Sequence, residues 1–141
     1  KQPELTHEVL RDGWYYSDDM GFLDEDGFLK LTGRRSDLII TGGENVFSQE
    51  VENLLARHPG VKESCVFGTP DAHWGELVTA AVVPEKGCEL DADELYKYCH
   101  DRIAGFKVPK KIFVVRELPH NAVGKLNKPA IVKLFTSEKR Q

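Results

Sequence analysis

The chain has 141 residues, 40% of them hydrophobic and 30% charged, which is the size and composition of about one globular domain. It is not a disordered, collagenous or rod-like sequence, and a chain this long buries enough surface to fold without disulfides or metal. The net charge of −4 hides a split: residues 1–101 carry 9 Lys/Arg and 21 Asp/Glu, whereas residues 102–140 carry 10 and 2.

Residues 3–11 read as a short helix. Phe22 to Leu29 place two apolar runs around Asp24-Glu25-Asp26-Gly27, which predicts a hairpin. Leu38-Ile39-Ile40 is a short buried strand. Ser48 is placed to cap a helix that carries Val51, Leu54 and Leu55 on one face and stops near His58-Pro59-Gly60. Val61 to Phe67 and Leu77 to Val83 read as strands, the second apolar almost throughout and therefore central in a sheet. Asp91 and Glu94 form a capping pattern before a helix with Leu95, Tyr98, Cys99 and Ile103 on one stripe, and Gly105 is placed at its C′ position. Ile112 to Val115 is a further strand and Asn121 to Gly124 a turn. Asn127 caps a last helix, with Ile131, Leu134 and Phe135 on one face.

From residue 37 onward this order predicts an α+β fold, a small mixed sheet flanked by helices. Residues 1–33 add a helix and a hairpin with little core of their own, so a boundary falls near Gly33-Arg34-Arg35-Ser36. The longest apolar stretch, Val78 to Val83, broken only by Thr79, is too short to span a bilayer, and the first residues show no secretory signal. The chain opens on Lys1 and its only methionine is Met20, so it is expected to be a piece of something longer. Cys65, Cys88 and Cys99 include no CxxC pair, and the five His are scattered. That argues against a disulfide framework or a zinc site, and reduced thiols without an export signal point to the cytoplasm.

Three local features bear on chemistry. Gly42 and Gly43, placed between a strand and a helix, either let a ligand approach the backbone or make a tight turn. Lys125, at a turn, is either a mobile point charge for phosphate or a solvated hairpin lysine. Asp18 and Asp19 beside Trp14-Tyr15-Tyr16 are either acceptors for sugar hydroxyls or turn residues. The basic end suits phosphates or nucleic acid, or is a solvated face.

The joint order of these features is more specific than any one of them. Gly13-Trp14-Tyr15-Tyr16-Ser17-Asp18-Asp19, Asp24-Glu25-Asp26-Gly27-Phe28, Gly33-Arg34, Asp37-Leu38-Ile39-Ile40 and Gly42-Gly43-Glu44-Asn45 succeed one another, followed by His58-Pro59-Gly60, Trp74-Gly75-Glu76, Phe106-Lys107-Val108-Pro109-Lys110 and Gly124-Lys125. Over roughly residues 12–135 the chain resembles the C-terminal part of adenylate-forming acyl-CoA synthetases. The resemblance implies that residues 1–34 end a large N-terminal adenylation domain and that residues 35–141 form a mobile lid. The lid would turn about a hinge between adenylation of a carboxylic acid by ATP and transfer of the acyl group to coenzyme A.

It also implies roles for individual residues. Asp19 and Arg34 contact the ribose of ATP, with Asp18 standing where the family usually has Gly. Ser36 occupies the hinge, where the family often has Asp or Lys. Lys125 is the catalytic lysine of adenylation. Gly42 and Gly43 line the passage for the pantetheine arm. Trp74, Phe106 and Lys110 lie near the nucleotide of coenzyme A. The ligand for Mg²⁺ lies in the missing N-terminal domain, so no metal site is expected within this chain, and the fragment alone is expected to be inactive. Two alternatives compete: an adenylation domain that loads a carrier protein, disfavoured by the Gly-Gly-Glu-Asn form of the loop, and a non-catalytic nucleic-acid-binding module. The latter calls for aromatics interleaved with the C-terminal lysines, and the sequence offers few. A third, a domain that kept the fold and lost the chemistry, is disfavoured by the presence of Asp19, Arg34 and Lys125. The acyl substrate is left open.

Overall fold

The computed structural model describes residues 3–137. The chain forms two compact units, one ending at Ser36 and one beginning at Asp37.

In the first unit, helix α1 (Pro3–Val9) leads into strands β1 (Leu10–Arg11) and β2 (Trp14–Tyr15), then β3 (Asp19–Leu23) and β4 (Leu29–Arg34). Both strand pairs are antiparallel hairpins. The second is the hairpin expected from the sequence: Asp24 Oδ1 accepts the Asp26 and Phe28 N–H groups at 3.1 and 2.8 Å, closing the turn. The first was missed, although Asp12-Gly13 carries it. Both residues have positive φ, 53° and 79°, as a two-residue hairpin with right-handed strand twist requires. None of the described side chains in residues 3–36 is buried. Trp14, Tyr15, Leu23, Phe28 and Leu31 are each about two-thirds exposed or more.

The second unit begins within a single 3-10 turn (Arg35–Asp37) and continues as β5 (Leu38–Thr41), β6 (Glu44–Phe47), α2 (Ser48–Leu55), β7 (Val61–Asp71), β8 (Gly75–Pro84), α3 (Ala92–His100), β9 (Lys111–Val114) and α4 (Lys128–Ser137). Strands β5 to β9 make one five-stranded mixed sheet, with β9 parallel to β8 and the other pairs antiparallel. Strand β8 pairs with β5, β7 and β9, which is why its sequence is apolar on both faces.

Alternation along β7 and β8 sends successive side chains to opposite faces. Val66, Val78, Ala80 and Val82 meet Leu55 of α2 and Leu95 of α3. Cys65, Phe67, Ala81 and Val83 meet Ile131 of α4 on the other side. The sheet is therefore covered by helices on both faces.

Four local expectations are corrected. Residues 44–47 are a strand, because Gly-Gly makes a hairpin before the helix starts. Ser48 does not cap α2: Phe47 is the N-cap residue and makes no side-chain cap bond. Gly105 is not the C′ residue of α3, which ends at His100, where Arg102 and Ile103 N–H both donate to the Cys99 carbonyl. Leu134 is 55% exposed, because α4 is rolled so that Ile131, Val132 and Phe135 face the sheet.

Cys65 and Cys99 are buried core thiols, and Cys88 is exposed. Burial, with a smaller contribution from the Glu52 charge, pushes the Cys65 thiol up to about 12, and burial raises Cys99 to about 11. At pH 8 iodoacetamide is expected to label Cys88 alone in the folded protein and all three thiols in denaturant, read by mass spectrometry. Labelling of Cys65 under native conditions contradicts the core assignment. No helix among the described residues is long and apolar enough to cross a membrane.

Candidate functional site

The candidate residues fall into separate groups, each built by a different element. Asp19 opens β3, Arg34 closes β4, and the two are direct cross-strand partners. Arg34 Nε lies 3.6 Å from Asp19 Oδ1, with both side chains well exposed. An exposed pair of this kind adds at most about 1 kcal/mol of stability, so its value lies in holding an acceptor and a donor side by side. Asp18 has φ 65°, a left-handed conformation that Asp tolerates better than most residues. That accommodates a carboxylate where a glycine is the simpler choice. Its Oδ2 accepts the Ser36 N–H at 3.2 Å. Bonds from the Ser36 side chain and backbone hold the Asp18 carboxyl below the usual carboxylate range.

Gly42 and Gly43 are the two central residues of the β5–β6 hairpin, with φ 58° and 85°. Sequence placed them before a helix; the strand that follows turns them into a hairpin tip. The Gly42 N–H donates to the Trp74 carbonyl at 2.8 Å. A Cβ on Gly42 would sit 2.7 Å from Cε3 of the Trp74 ring, whereas one on Gly43 meets nothing within 4 Å. Gly42 and Trp74 are thus brought together, and Gly43 faces open space.

Asp71, which sequence reasoning passed over, positions the tryptophan: its Oδ1 accepts the His73 and Trp74 N–H groups at 2.9 and 3.0 Å. The Asp-x-x-Trp spacing was the available signal for such a turn. Glu76 Oε2 accepts the Ile40 N–H at 2.8 Å and fixes β5 to this end of β8.

Lys110 N–H donates to the Val78 carbonyl at 2.8 Å, three residues along β8 from Gly75. Its Nζ lies 3.3 Å from the Gly105 carbonyl and 5.9 Å from the Tyr96 ring centroid. Phe106 is 39% exposed, and the neighbouring Lys107 donates to both Glu50 oxygens at 2.8 Å. Part of the basic C-terminal region therefore neutralises the acidic body. Lys107 pairs with Glu50, and Lys128 lies near Asp37 and Glu52.

Lys125 stands apart from these residues. It is exposed on the loop that runs from His120 to Leu126, whose ends form an isolated bridge. Asn121 holds the loop: its Oδ1 accepts the Val123 and Lys125 N–H groups at 3.1 and 3.0 Å. His120 Nε2 lies 3.0 Å from Glu63 Oε2, which ties the loop to the beginning of β7. Trp74 and Gly42 sit where β7 ends, at the Asp71–Gly75 pair. Eight residues of strand separate Glu63 from Asp71, roughly 27 Å at the usual rise. The lysine and the glycine turn therefore lie at opposite ends of the β7–β8 hairpin.

Lys128, the first residue of α4, joins several elements and was not singled out from the sequence. Its ammonium donates to Ser48 Oγ at 2.8 Å and lies 3.4 Å from Asp37 and 3.9 Å from Glu52. Burial raises the Glu52 carboxyl above its ordinary value despite the Val66 N–H bond and Lys128. Among the described residues no group of three or more His, Cys, Asp or Glu converges to hold a metal ion.

Residues 50–125 match the family described as AMP-binding enzyme C-terminal domain. The chain is 45% identical over 134 residues to a feruloyl-CoA synthase of Amycolatopsis sp, covering 95% of this chain and 27% of that protein. It is 45% identical over 135 residues to a 2-succinylbenzoate–CoA ligase of Geobacillus kaustophilus (strain HTA426), covering 96% and 28%. Among solved structures it is similar to the o-succinylbenzoate CoA synthetase of Bacillus subtilis in complex with its acyl-adenylate intermediate. There the TM-score is 0.79 and the identity 44%, over 86% of this chain and 25% of the other. The chain spans about a quarter of the length of the curated relatives it matches.

Proposed function

Since the chain belongs to the AMP-binding enzyme C-terminal domain family of the adenylate-forming acyl-CoA synthetases, we propose that it is the lid, with the adjoining end of the large domain, of an AMP-forming acid–thiol ligase. The observation that carries this reading is the placement of Lys125 and Gly42–Gly43 at opposite ends of one hairpin. A single pose of the lid offers one end to a reaction centre. Two successive half-reactions then call for two poses.

In the first half-reaction a substrate carboxylate attacks the α-phosphorus of ATP. A phosphorus–oxygen bond forms to the acyl group and the bond to pyrophosphate breaks. As the carboxylate oxygen gives up its charge, negative charge grows on the α-phosphoryl oxygens and the departing pyrophosphate, and the Lys125 ammonium stabilises it while remaining protonated. Asp19 accepts from the ribose hydroxyls and Arg34 donates to the ribose. In the second, the thiol of coenzyme A attacks the acyl carbon, loses its proton and expels AMP. Gly42 and Gly43 leave room for the pantetheine arm, and Trp74, Phe106 and Lys110 meet the nucleotide by stacking and charge.

The unburied apolar side chains of residues 3–36 support a partner, the upstream part of the same protein. Free, unpaired cysteines favour a cytoplasmic enzyme. Nucleic-acid binding has less support: the half-buried Phe113 ring already packs against that of Phe135, 4.8 Å between centroids.

ATP–pyrophosphate exchange with the full-length protein over a panel of aliphatic and aromatic carboxylic acids tests the proposal. Acid-dependent exchange, followed by CoA-dependent AMP release, is expected. The 141-residue chain alone should show neither. Exchange that no added carboxylate stimulates contradicts the reading.

A further inference from the structure

We propose that Asp18 and Lys128 are positioning residues that clamp the chain on either side of the Ser36–Asp37 peptide and confine the swivel of the lid to that linkage. This rests on the reading of Ser36 as the hinge. On the near side, one residue holds two consecutive backbone groups. The Arg35 N–H donates to the Asp18 carbonyl at 2.8 Å and the Ser36 N–H to its Oδ2 at 3.2 Å. The positive φ of Asp18, 65°, is a conformation glycine adopts freely. Glycine there would keep the turn and lose the carboxylate, so the contribution of Asp18 beyond backbone shape is its bond to Ser36.

On the far side, Asp37 is fixed to the body of its own unit. Lys128 Nζ lies 3.4 Å from Asp37 Oδ1 and donates to Ser48 Oγ at 2.8 Å. The same ammonium is 3.9 Å from Glu52 Oε1, which accepts the Val66 N–H at 2.8 Å. Asp37 is thereby joined to α2, α4 and β7. Ser48 is buried and the Lys128 and Glu52 side chains are about one-fifth exposed, so water competes weakly for their contacts; the Asp37 side chain is 37% exposed and its pair with Lys128 is the more solvated one.

The residues on the two sides of the boundary are therefore held by different units, and the torsions between them are the ones left to turn. Lys128 begins α4 three residues after Lys125. The group that secures Asp37 thus also secures the helix into which the Lys125 loop runs. Without the clamps a rotation would spread along residues 35–38, and Lys125 would reach the reacting atoms with scatter. Misplacement by about 1 Å is enough to cost up to ~100-fold in rate.

The test uses the full-length enzyme with Asp18→Gly, Asp37→Asn, Lys128→Met and Lys128→Arg. Three quantities are read: trypsin cleavage after Arg35 without ligands, the adenylation kcat and ATP KM by pyrophosphate exchange, and Tm. Asp18→Gly and Asp37→Asn are expected to speed cleavage about threefold or more, with Tm within about 2 °C of the parent. They should lower the adenylation kcat about tenfold at unchanged ATP KM. Lys128→Met should speed cleavage and lower kcat likewise but with a lower Tm, because Ser48 and Glu52 lose their partner, and Lys128→Arg should keep parental values.

Unchanged cleavage and kcat in Asp18→Gly and Asp37→Asn overturn the proposal. So does a fall of Tm in these two variants that parallels their loss of kcat, which is the signature of a structural role alone. If Lys125→Ala retains full adenylation while Asp37→Asn still speeds cleavage, the clamp stands and the catalytic assignment of Lys125 fails.

Discussion

Replacing Lys125 with alanine in the full-length protein is expected to slow adenylation by about 10²–10³-fold. Transfer of a supplied acyl-adenylate to coenzyme A should remain within about threefold of the parent. On the proposed role, the loss follows from removing a positive charge that stabilises oxygens gaining charge only as the reaction proceeds. The sparing follows from location. Lys125 is exposed on a loop tied to the start of β7, at the opposite end of the hairpin from the glycine turn. The substitution removes no buried contact, so Tm should hold. Rapid-quench assays of the two half-reactions check this, and an equal fall in both contradicts the assignment.

The glycine turn should give the complementary result, with a distinction between its two positions. Gly43 has φ 85° and open space around it within this chain. Gly43→Leu is expected to cost roughly 1–2 kcal/mol for the left-handed backbone. It should depress thioester formation about tenfold or more while adenylation stays within about threefold. Gly42→Ala is different, since its new methyl would lie 2.7 Å from the Trp74 ring. The ring must move, so a lower Tm and a raised KM for coenzyme A are expected together. Thermal denaturation and CoA saturation curves separate the cases. Equal effects at the two positions contradict the geometry.

Why some of this was legible in the sequence and some was not has physical causes. The strands β7 and β8 announce themselves through β-branched, apolar runs, and the Asp24–Gly27 turn through its chemistry, because these depend on near neighbours. The β5–β6 and β1–β2 hairpins were missed although Gly42-Gly43 and Asp12-Gly13 are hairpin dipeptides. Their strands are too short to show a period. Ser48 looked like a helix cap because the local pattern ignores Lys128, which takes its hydroxyl from 80 positions away.

The site followed the same division. Asp19, Arg34, Trp74 and Lys125 could be named from ordered motifs, and the pairing of Asp19 with Arg34 follows from the hairpin register. The stacking of Trp74 on Gly42 and the distance between the lysine and the glycine turn depend on how β5 and β7 flank β8. No local pattern encodes that. By composition the basic C-terminal region suits phosphates, nucleic acid or solvent alike, yet Lys107 and Lys128 are engaged within the fold.

The central claim is that the two ends of the lid serve two separate steps, and a Lys125→Ala, Gly43→Leu double variant of the full-length enzyme measures it. Sites this far apart should act independently to within about 0.5 kcal/mol. The double variant is expected to show the adenylation deficit of Lys125→Ala alone and the thioester deficit of Gly43→Leu alone. A deficit in either half-reaction that differs clearly from the corresponding single variant contradicts the claim.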